Sequence, residues 1–199
     1  IKETLAAALC DLARLRPYHT LYDPMCGSGT ILIEGAMMVH NIAPGVNRYF
    51  SAERWDVIDE KVWTDERNRA RDLVNYDTDF IAYGSDIDEE ALEIAKINAK
   101  RAGVERKIKF EKADIRNFEP KSEKGTVICN PPYGERLLDI EEAQKLYKIM
   151  GEKFIRKHGW SYYVISPSEE FEKEFGRKAD KRRKLYNGMI KCQLFMYFK

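Results

Sequence analysis

The sequence has few of the residues that build disulfide frameworks or metal sites. Its cysteines stand far apart along the chain: Cys10, Cys26, Cys129 and Cys192. No two of them form a CxxC pair, and the three histidines have no spacing typical of metal ligands. We therefore predict buried, reduced thiols and no metal site.

Long apolar runs and an excess of one charge are also missing. No stretch approaches the roughly 18 apolar residues of a membrane span, and no signal peptide is evident. Lys and Arg number 34 against 33 Asp and Glu, so the net charge is only +1. We expect a soluble, cytoplasmic protein without a membrane partner, in which any nucleic-acid binding comes from local basic patches.

The length of the chain bears on its domain organisation. A chain of 199 residues suffices for one full-sized domain and is short for two. We therefore expect a single domain over residues 1–199. The first residue is Ile1, and the stretch from there to Leu15 already reads as a helix. We expect the full-length protein to contain residues upstream.

Apolar runs alternate with helical periodicities for most of the length. This alternation predicts the α/β class, with a mainly parallel sheet and helices on both faces. Strands are predicted near 20–24, 80–86, 107–112, 126–130 and 161–166. Helices are predicted near 30–40, 89–102, 141–157 and 168–175.

Two regions break this rhythm. Asn187-Gly188 suits a tight hairpin turn, so residues 184–186 and 189–198 are predicted to be two strands, one of them antiparallel to the rest of the sheet. Residues 41–78 fit neither strand nor sheet-packing helix and are interpreted as an insertion. We expect its tryptophans, Trp55 and Trp63, to anchor its core.

A glycine-rich turn follows the first predicted strand, in the stretch DPMCGSGT. Gly27 and Gly29 let a ligand approach the backbone closely. The third glycine of GxGxxG is missing, because Leu32 stands there, and the turn has no GK[ST]. A dinucleotide or ATP site is therefore disfavoured, whereas a plain strand-to-helix turn stays open as an alternative.

Three acids end three successive predicted strands, and such ends meet at the ligand-binding edge of a parallel sheet. Asp23 stands beside the glycine turn, Asp86 is placed to accept hydrogen bonds from ribose hydroxyls, and Asp114 from an adenine amine. A single acid there is usually a helix cap, as we expect for Asp88. Together the three predict a pocket for an adenosine that carries a partly cationic, non-phosphate substituent.

The fourth predicted strand ends in Asn130-Pro131-Pro132-Tyr133. A residue before proline is held in extended geometry, so the segment is stiff. We predict that the Asn130 side chain and the Pro131 carbonyl face outward as two acceptors that grip an exocyclic –NH2. Tyr133 would stack on the ring that carries the amine, and Gly134 would allow its close approach. The alternative is a proline-rich turn in which Asn130 caps a backbone group.

Taken in order, these residues resemble the class I S-adenosylmethionine (SAM)-dependent methyltransferases, in the amino-methylating branch with the NPPY motif. That family has a Rossmann-like fold of seven strands, the last antiparallel. The longer strings KETLAAAL, DPMCGSGTILIEGA, APGVNRYFSAERW and NPPYGERL resemble, more narrowly, the catalytic domain of bacterial THUMP-linked guanine-N2 methyltransferases of large-subunit ribosomal RNA. This resemblance implies SAM as cofactor, ribosomal RNA as partner and a THUMP domain upstream.

The resemblance also implies a role for each motif residue. Those that would surround the cofactor are Asp23, Pro24, Cys26, Gly27, Gly29, Thr30, Asp86, Ile87, Asp114, Ile115 and Asn130. The candidate catalytic residues, which would hold the target amine, are Asn130, Pro131, Pro132 and Tyr133, and the candidate substrate-binding residues are Tyr133, Gly134 and Arg136. Of these, Arg136 is the candidate for a phosphate contact, since it comes directly after the motif.

Other functions remain open at this point. NPPY enzymes also act on adenine N6 in DNA and on glutamine N5 in proteins, and a third reading is a SAM- and RNA-binding module without catalysis. The basic run at 176–184 is either a solvated turn or a contact for distant RNA phosphates. It is expected to lie away from the pocket, because a helix that leaves the pocket edge arrives at the opposite end of the sheet.

Overall fold

Seven strands form one mixed sheet in the computed structural model of the chain, which describes residues 1–133 and 140–198. The strands are β1 (Thr20–Asp23), β2 (Ile81–Asp86), β3 (Ile108–Lys112), β4 (Gly125–Cys129), β5 (Trp160–Ser166), β6 (Lys181–Asn187) and β7 (Ile190–Phe198). Their order is β3-β2-β1-β4-β5-β7-β6, and β7 alone runs antiparallel to its neighbours. The predicted fold class and the antiparallel strand are confirmed.

The described helices alternate with the strands as the sequence predicted. They are α1 (Glu3–Leu12), α2 (Thr30–Val39), α3 (Glu60–Asp72), α4 (Glu89–Arg101), α5 (Ile140–Lys153) and α6 (Phe171–Phe175). Asp88 is the N-cap of α4, as predicted, and accepts hydrogen bonds from the N–H groups of Glu90 and Ala91. Helix α5 ends four residues before the predicted boundary at 157, whereas β6 begins three residues before the predicted boundary at 184. None of the helices within the described ranges is long and apolar enough to cross a membrane.

Two apolar layers pack against the opposite faces of the sheet. Along β5 the side chains alternate, so that Tyr163 and Ile165 join a cluster with α1, α2 and α4, whereas Tyr162 and Val164 join one with α5 and α6. This alternation follows from the two-residue period of a strand. Both layers leave the carboxyl ends of the central strands uncovered.

The insertion at residues 41–78 is a small charged lobe between α2 and β2. Arg67 ties it together by pairing with Glu53 and donating to the Arg48 carbonyl over 2.7 Å. Trp63 is half-buried and stacks on Phe50, with 6.0 Å between ring centroids. Trp55, in contrast, is 60% exposed. The expectation of a core anchor was therefore wrong for Trp55, because none of residues 41–78 is fully buried and the lobe has no core of its own to cover a second indole.

Gly151 is where α5 meets α6 most closely. A Cβ at this position would lie 1.9 Å from the backbone oxygen of Phe175, so α6 would have to move. Helix propensity alone would favour alanine. We nevertheless expect Gly151→Ala to lower the free energy of unfolding by about 1 to 3 kcal/mol and the Tm by roughly 3 to 10 °C. Thermal denaturation measures this, with Glu152→Ala on the same helix as control. An unchanged or higher Tm in Gly151→Ala would show that the contact does not constrain the fold.

Candidate active site at the carboxyl edge of the sheet

The strand order reverses between β1 and β4, and a cleft of about 1340 Å³ opens at this point. In an open α/β sheet, ligands bind in the crevice beyond the carboxyl ends of the strands at such a reversal. Asp23 ends β1 and Asn130 directly follows β4, so both face one space. The sequence motifs therefore meet where this topology favours a ligand.

The turn between β1 and α2 is tied to the end of β2. The Gly27 N–H donates to Asp86 Oδ2 over 2.8 Å, and the Cys26 N–H donates to the Ser85 carbonyl over 3.0 Å. Gly27 has a φ of +50°, and a Cβ there would meet no described atom within 4 Å. Glycine is thus required by the backbone conformation, and it leaves open space in front of the turn.

Gly29 supports the turn from behind. Its φ is +78°, and a Cβ would lie 3.1 Å from the Ala95 Cβ and 3.2 Å from the ring of Phe110. It is missing from the described residues that line the cleft. Gly29 allows α2 to begin close to α4 and β3, so it fixes the position of the turn without bordering the cleft.

Asp23 is the most buried acid of the site, with only 2% of its surface exposed. Its Oδ1 accepts a hydrogen bond from the Met25 N–H over 3.2 Å. Burial raises the pKa of Asp23 to about 8; the Met25 bond lowers this pKa in part, and the nearby charge of Asp86 raises it further. A cation bound in the cleft would stabilise the ionised form of Asp23, because its charge would offset the free energy that burial adds to ionisation.

Asp86 and Asp114 are both bound to the backbone of their own turns. Asp86 Oδ1 accepts from the Asp88 N–H over 3.0 Å, in addition to the bond from Gly27. Asp114 Oδ1 accepts from the Arg116 N–H over 2.8 Å, as the cap of a short 3₁₀ turn. A carboxylate has about four acceptor positions. Asp114 thus acts as a cap and Asp86 joins two turns, and both acids still have acceptor capacity toward the cleft that they line.

Asn130 and Tyr133 are joined in a way that the sequence did not reveal. The Tyr133 hydroxyl donates to Asn130 Oδ1. The same hydroxyl accepts from Asn187 Nδ2 over 3.2 Å and contacts Cys192 Sγ at 3.8 Å. Burial raises the pKa of Tyr133, so the hydroxyl keeps its proton. The sequence predicts Asn130 Oδ1 as an acceptor for an amine and the Tyr133 ring as a stacking surface; the structure adds that the Tyr133 hydroxyl connects Asn130 to the β6–β7 hairpin.

Most of the residues selected from the sequence border the cleft together. They are Asp23, Pro24, Cys26, Gly27, Thr30, Asp86, Ile87, Asp114, Ile115, Asn130, Pro131, Pro132 and Tyr133. Gly134 and Arg136 lie outside the described residues.

The burial of all four cysteine thiols agrees with the predicted reduced state, and burial raises the pKa of Cys26 beside the turn.

The cleft is also lined by residues from distant segments, which local sequence patterns did not identify. These are the hairpin tip Asn187, Gly188, Met189 and Ile190, the α5 residues Glu142, Lys145, Leu146 and Ile149, and the first residues Ile1 and Lys2. The Asn187-Gly188 pair was identified only as a turn. Its position could not be found from local signals, because it depends on β7 lying between β5 and β6.

The basic run was also misplaced. Lys181 to Lys184 belong to β6, which runs parallel to β5 and ends at the cleft with Asn187. Lys184 pairs with Gln193, which in turn pairs with Ser166, the last residue of β5. This second half of the run therefore lies level with the carboxyl half of the sheet. Residues 176–180 precede β6 as predicted, and no residue of 176–184 lines the cleft, whereas Lys181 to Lys184 lie nearer to it than expected because they belong to the strand.

Comparison with known proteins places the chain among methyltransferases. The family described as RMKL-like, methyltransferase domain, matches residues 1–195. YpsC of Bacillus subtilis (strain 168), provisionally named an RNA methyltransferase, is 43% identical over 100% of this chain and 51% of its own length. The ribosomal RNA large subunit methyltransferase K/L of Shewanella sp. (strain W3-18-1) is 41% identical over 99% of this chain and 29% of its own length. The chain thus spans about half or less of these relatives.

Solved structures share the fold over the whole chain. One from Clostridium difficile 630, described as a possible methylase, has a TM-score of 0.95 at 50% identity, with 52% of that chain covered. SMU.472, provisionally named a methyltransferase and complexed with SAH, has a TM-score of 0.93 at 44% identity over 52% of its chain. A protein from Listeria monocytogenes str. 4b F2365, provisionally named an N6-adenine-specific DNA methylase, has a TM-score of 0.92 at 47% identity over 51% of its chain.

Proposed function

Because the chain belongs to the RMKL-like methyltransferase domain family, we propose that it is a SAM-dependent methyltransferase that acts on RNA, and specifically on the exocyclic N2 amine of a guanine in large-subunit ribosomal RNA. The observation that carries the proposal is the position of Asn130-Pro131-Pro132-Tyr133, which leaves β4 at the strand reversal and shares one cleft with the glycine turn. The names of the relatives, K/L above all, support RNA as the substrate. An upstream THUMP domain remains part of the proposal.

The cleft has properties that fit SAM. Gly27 leaves open space in front of a turn whose position is fixed by Asp86 and Ser85. Asp23 offers a buried carboxyl group to the cationic methionine part, and Asp86 and Asp114 offer acceptors to the ribose and the adenine amine. Bound SAM would supply the methyl group. As the bond from the methyl carbon to the amine nitrogen forms, the bond from this carbon to sulfur would break, and its electron pair would stay on sulfur.

The chain's own residues orient and activate the amine. Asn130 Oδ1 and the Pro131 carbonyl would accept its two hydrogens, which stabilises the positive charge that develops on nitrogen. One amine proton then leaves to solvent. The ring of Tyr133 would hold the base, and the stacking offsets the few kcal/mol needed to take a nucleotide out of its stack. Since the Tyr133 hydroxyl occupies Asn130 Oδ1, this hydroxyl must share or release that acceptor when the amine binds.

Nucleoside analysis tests the target atom. The chain is incubated with SAM labelled in its methyl group and with undermodified ribosomal RNA or with DNA, and the products are digested to nucleosides. We expect the label in N2-methylguanosine from RNA. Label only in N6-methyladenine would favour the second candidate, which the name of the Listeria neighbour suggests. In a parallel reaction with a protein substrate, followed by hydrolysis to amino acids, label only in methylglutamine would also reject the guanine assignment.

Two substitutions of Tyr133 separate its ring from its hydroxyl. Tyr133→Phe keeps the stacking surface and removes the group that occupies Asn130 Oδ1, so we expect kcat/KM to stay within about fivefold of wild type. Tyr133→Ala removes stacking worth about 1 to 3 kcal/mol per base, which lowers kcat/KM by roughly 5- to 150-fold. Steady-state kinetics on an RNA fragment measures both. Equal losses in the two variants would show that the ring does not hold the base.

A further inference from the structure

Strand β6 forms an edge of the sheet and bears a row of cations. Among the described strands it pairs with β7 alone, so its other side is not covered by any strand of the described sheet. Successive side chains of a strand point to opposite faces. Lys181, Arg183 and Asn187 therefore share one face, and Asn187 places that face on the side of Tyr133. Lys184 and Tyr186 lie on the other face.

The row of cations is level with the proposed chemistry. Cys129, which precedes Asn130, is aligned across the sheet with Val164, Phe195 and Arg182. Arg183 is thus level with Asn130, three strand spacings away, which is about 14 Å. A chain that lay along β6 would reach the cleft at the hairpin tip.

Three of these cations have no acidic partner in the described part of the chain. Arg182 is bound to Glu172 on α6, whereas Lys181, Arg183 and Lys184 take part in none of the ion pairs found there. All three side chains are exposed. Positive charge is therefore available along one edge of a molecule whose net charge is only +1.

The end of β6 and the hairpin tip also carry exposed apolar groups. Tyr186 is 54% exposed and Met189 is 97% exposed. The Lys184 ammonium lies 5.3 Å from the centroid of the Tyr186 ring. Met189 borders the cleft itself. Cationic groups followed by an exposed aromatic ring are typical of surfaces that bind single-stranded nucleic acid by phosphate contacts and by stacking.

We propose that β6 and the hairpin tip Gly188-Met189 bind the single-stranded RNA that flanks the target nucleotide. Lys181, Arg183 and Lys184 contact phosphates, while Tyr186 and Met189 contact bases next to the cleft. The inference rests on the proposed function, since it names the surface through which that substrate reaches the site. Charges on an edge strand also prevent the sheets of two molecules from pairing. Protection of the edge would not, however, require the cations to be level with Asn130 or the hairpin tip to be apolar.

Binding measurements on two matched triple variants test the surface. The first variant combines Lys181→Gln, Arg183→Gln and Lys184→Gln. The control combines Lys100→Gln, Arg101→Gln and Arg106→Gln, which removes the same charges from exposed positions at and after the end of α4. Fluorescence anisotropy with a labelled single-stranded RNA gives Kd over a range of salt concentrations, and thermal denaturation verifies that both variants fold.

We expect the β6 variant to lose three phosphate contacts. The slope of log K against log salt then falls by about 2, and affinity at low salt falls by roughly 10- to 100-fold. The control keeps the wild-type slope. A charge-conserving variant that combines Lys181→Arg, Arg183→Lys and Lys184→Arg keeps the wild-type slope, because phosphate binding needs only the charge. Equal affinities of wild type and β6 variant, or equal losses in both triple variants, overturn the proposal.

The readouts separate this proposal from the proposed function. Loss of RNA affinity in the β6 variant supports the surface even if wild type transfers no methyl group to guanine. Conversely, formation of N2-methylguanosine with an unchanged KM for RNA in the β6 variant keeps the function and overturns the surface. Unchanged RNA binding combined with loss of binding to an acidic protein would also overturn it, because β6 would then be a protein interface.

Discussion

Replacing Asn130 with alanine is expected to lower kcat for methyl transfer by about 10²- to 10³-fold, the usual effect of removing one placed dipole that stabilises developing charge. The physical reason is that Asn130 Oδ1 is one of two acceptors at the end of β4, and alanine leaves the Pro131 carbonyl alone. Single-turnover rates with saturating SAM and RNA measure the loss at the chemical step.

Asn68→Ala is the matched control for Asn130→Ala. Asn68→Ala makes the same chemical change on an exposed position of α3, outside the cleft, and should retain the wild-type rate. SAM affinity, measured by calorimetry, should change far less than kcat in Asn130→Ala. A rate equal to that of wild type would reject Asn130 as a catalytic group. If neither wild type nor variant transfers a methyl group to any substrate, the reading as a binding module without catalysis is favoured.

Replacing Asp23 with asparagine is expected to stabilise the fold while weakening cofactor binding. In an unfolded chain an Asp ionises near pH 4, whereas burial holds the pKa of Asp23 in the folded chain at about 8. Between these values folding takes up a proton, so the free energy of unfolding falls as pH rises, and the loss is complete above pH 8. The neutral amide avoids this cost and still accepts from the Met25 N–H.

The expected gain in Asp23→Asn is on the order of 5 kcal/mol at pH 8, because the pKa of Asp23 rises from about 4 to about 8 on folding; this corresponds to roughly 10 to 20 °C in Tm for a chain of this size. Below about pH 4 the difference should disappear, because both states then carry a neutral side chain. Chemical denaturation over a pH series measures it. Asp56→Asn, at an exposed position of the insertion, is the control and should change the stability little at any pH.

Cofactor binding should respond in the opposite direction. An ionised Asp23 would pair with the cationic methionine part of SAM, and a charge-assisted hydrogen bond contributes about 1.5 to 3 kcal/mol. We therefore expect Kd for SAM to rise by roughly 10- to 150-fold in Asp23→Asn. In wild type, binding should release a proton and strengthen as pH rises toward 8. A wild-type Kd that is independent of pH between 6 and 9, around the raised pKa of Asp23, would show that the carboxyl group does not face the cation.

The features that the sequence predicted correctly are local ones. Strand ends at Asp23, Asp86 and Asn130 follow from short apolar runs that meet turn residues, and they were predicted within one residue. Asp88 as a cap and Asn187-Gly188 as a hairpin turn follow from the chemistry of the residues themselves. Such signals need no knowledge of what lies across the sheet.

The features that could not be predicted depend on contacts between distant segments. Gly29 is a packing position because of Ala95 and Phe110, and nothing near Gly29 in the sequence names those partners. Trp55 is exposed because the insertion fully buries none of its residues. In both cases the residue type fits two environments, and only the neighbours decide between them.

By itself, the sequence determined that an α/β sheet places acids, a glycine turn and a rigid Asn-Pro-Pro-Tyr segment at one edge, because the ends of parallel strands meet there whatever the helices do. Only the tertiary structure decided that β7 enters between β5 and β6. That arrangement brings Asn187 to the Tyr133 hydroxyl and the cations of β6 level with Asn130. Strand order is a property of long-range pairing, and the energy of that pairing is distributed over residues far apart in the chain.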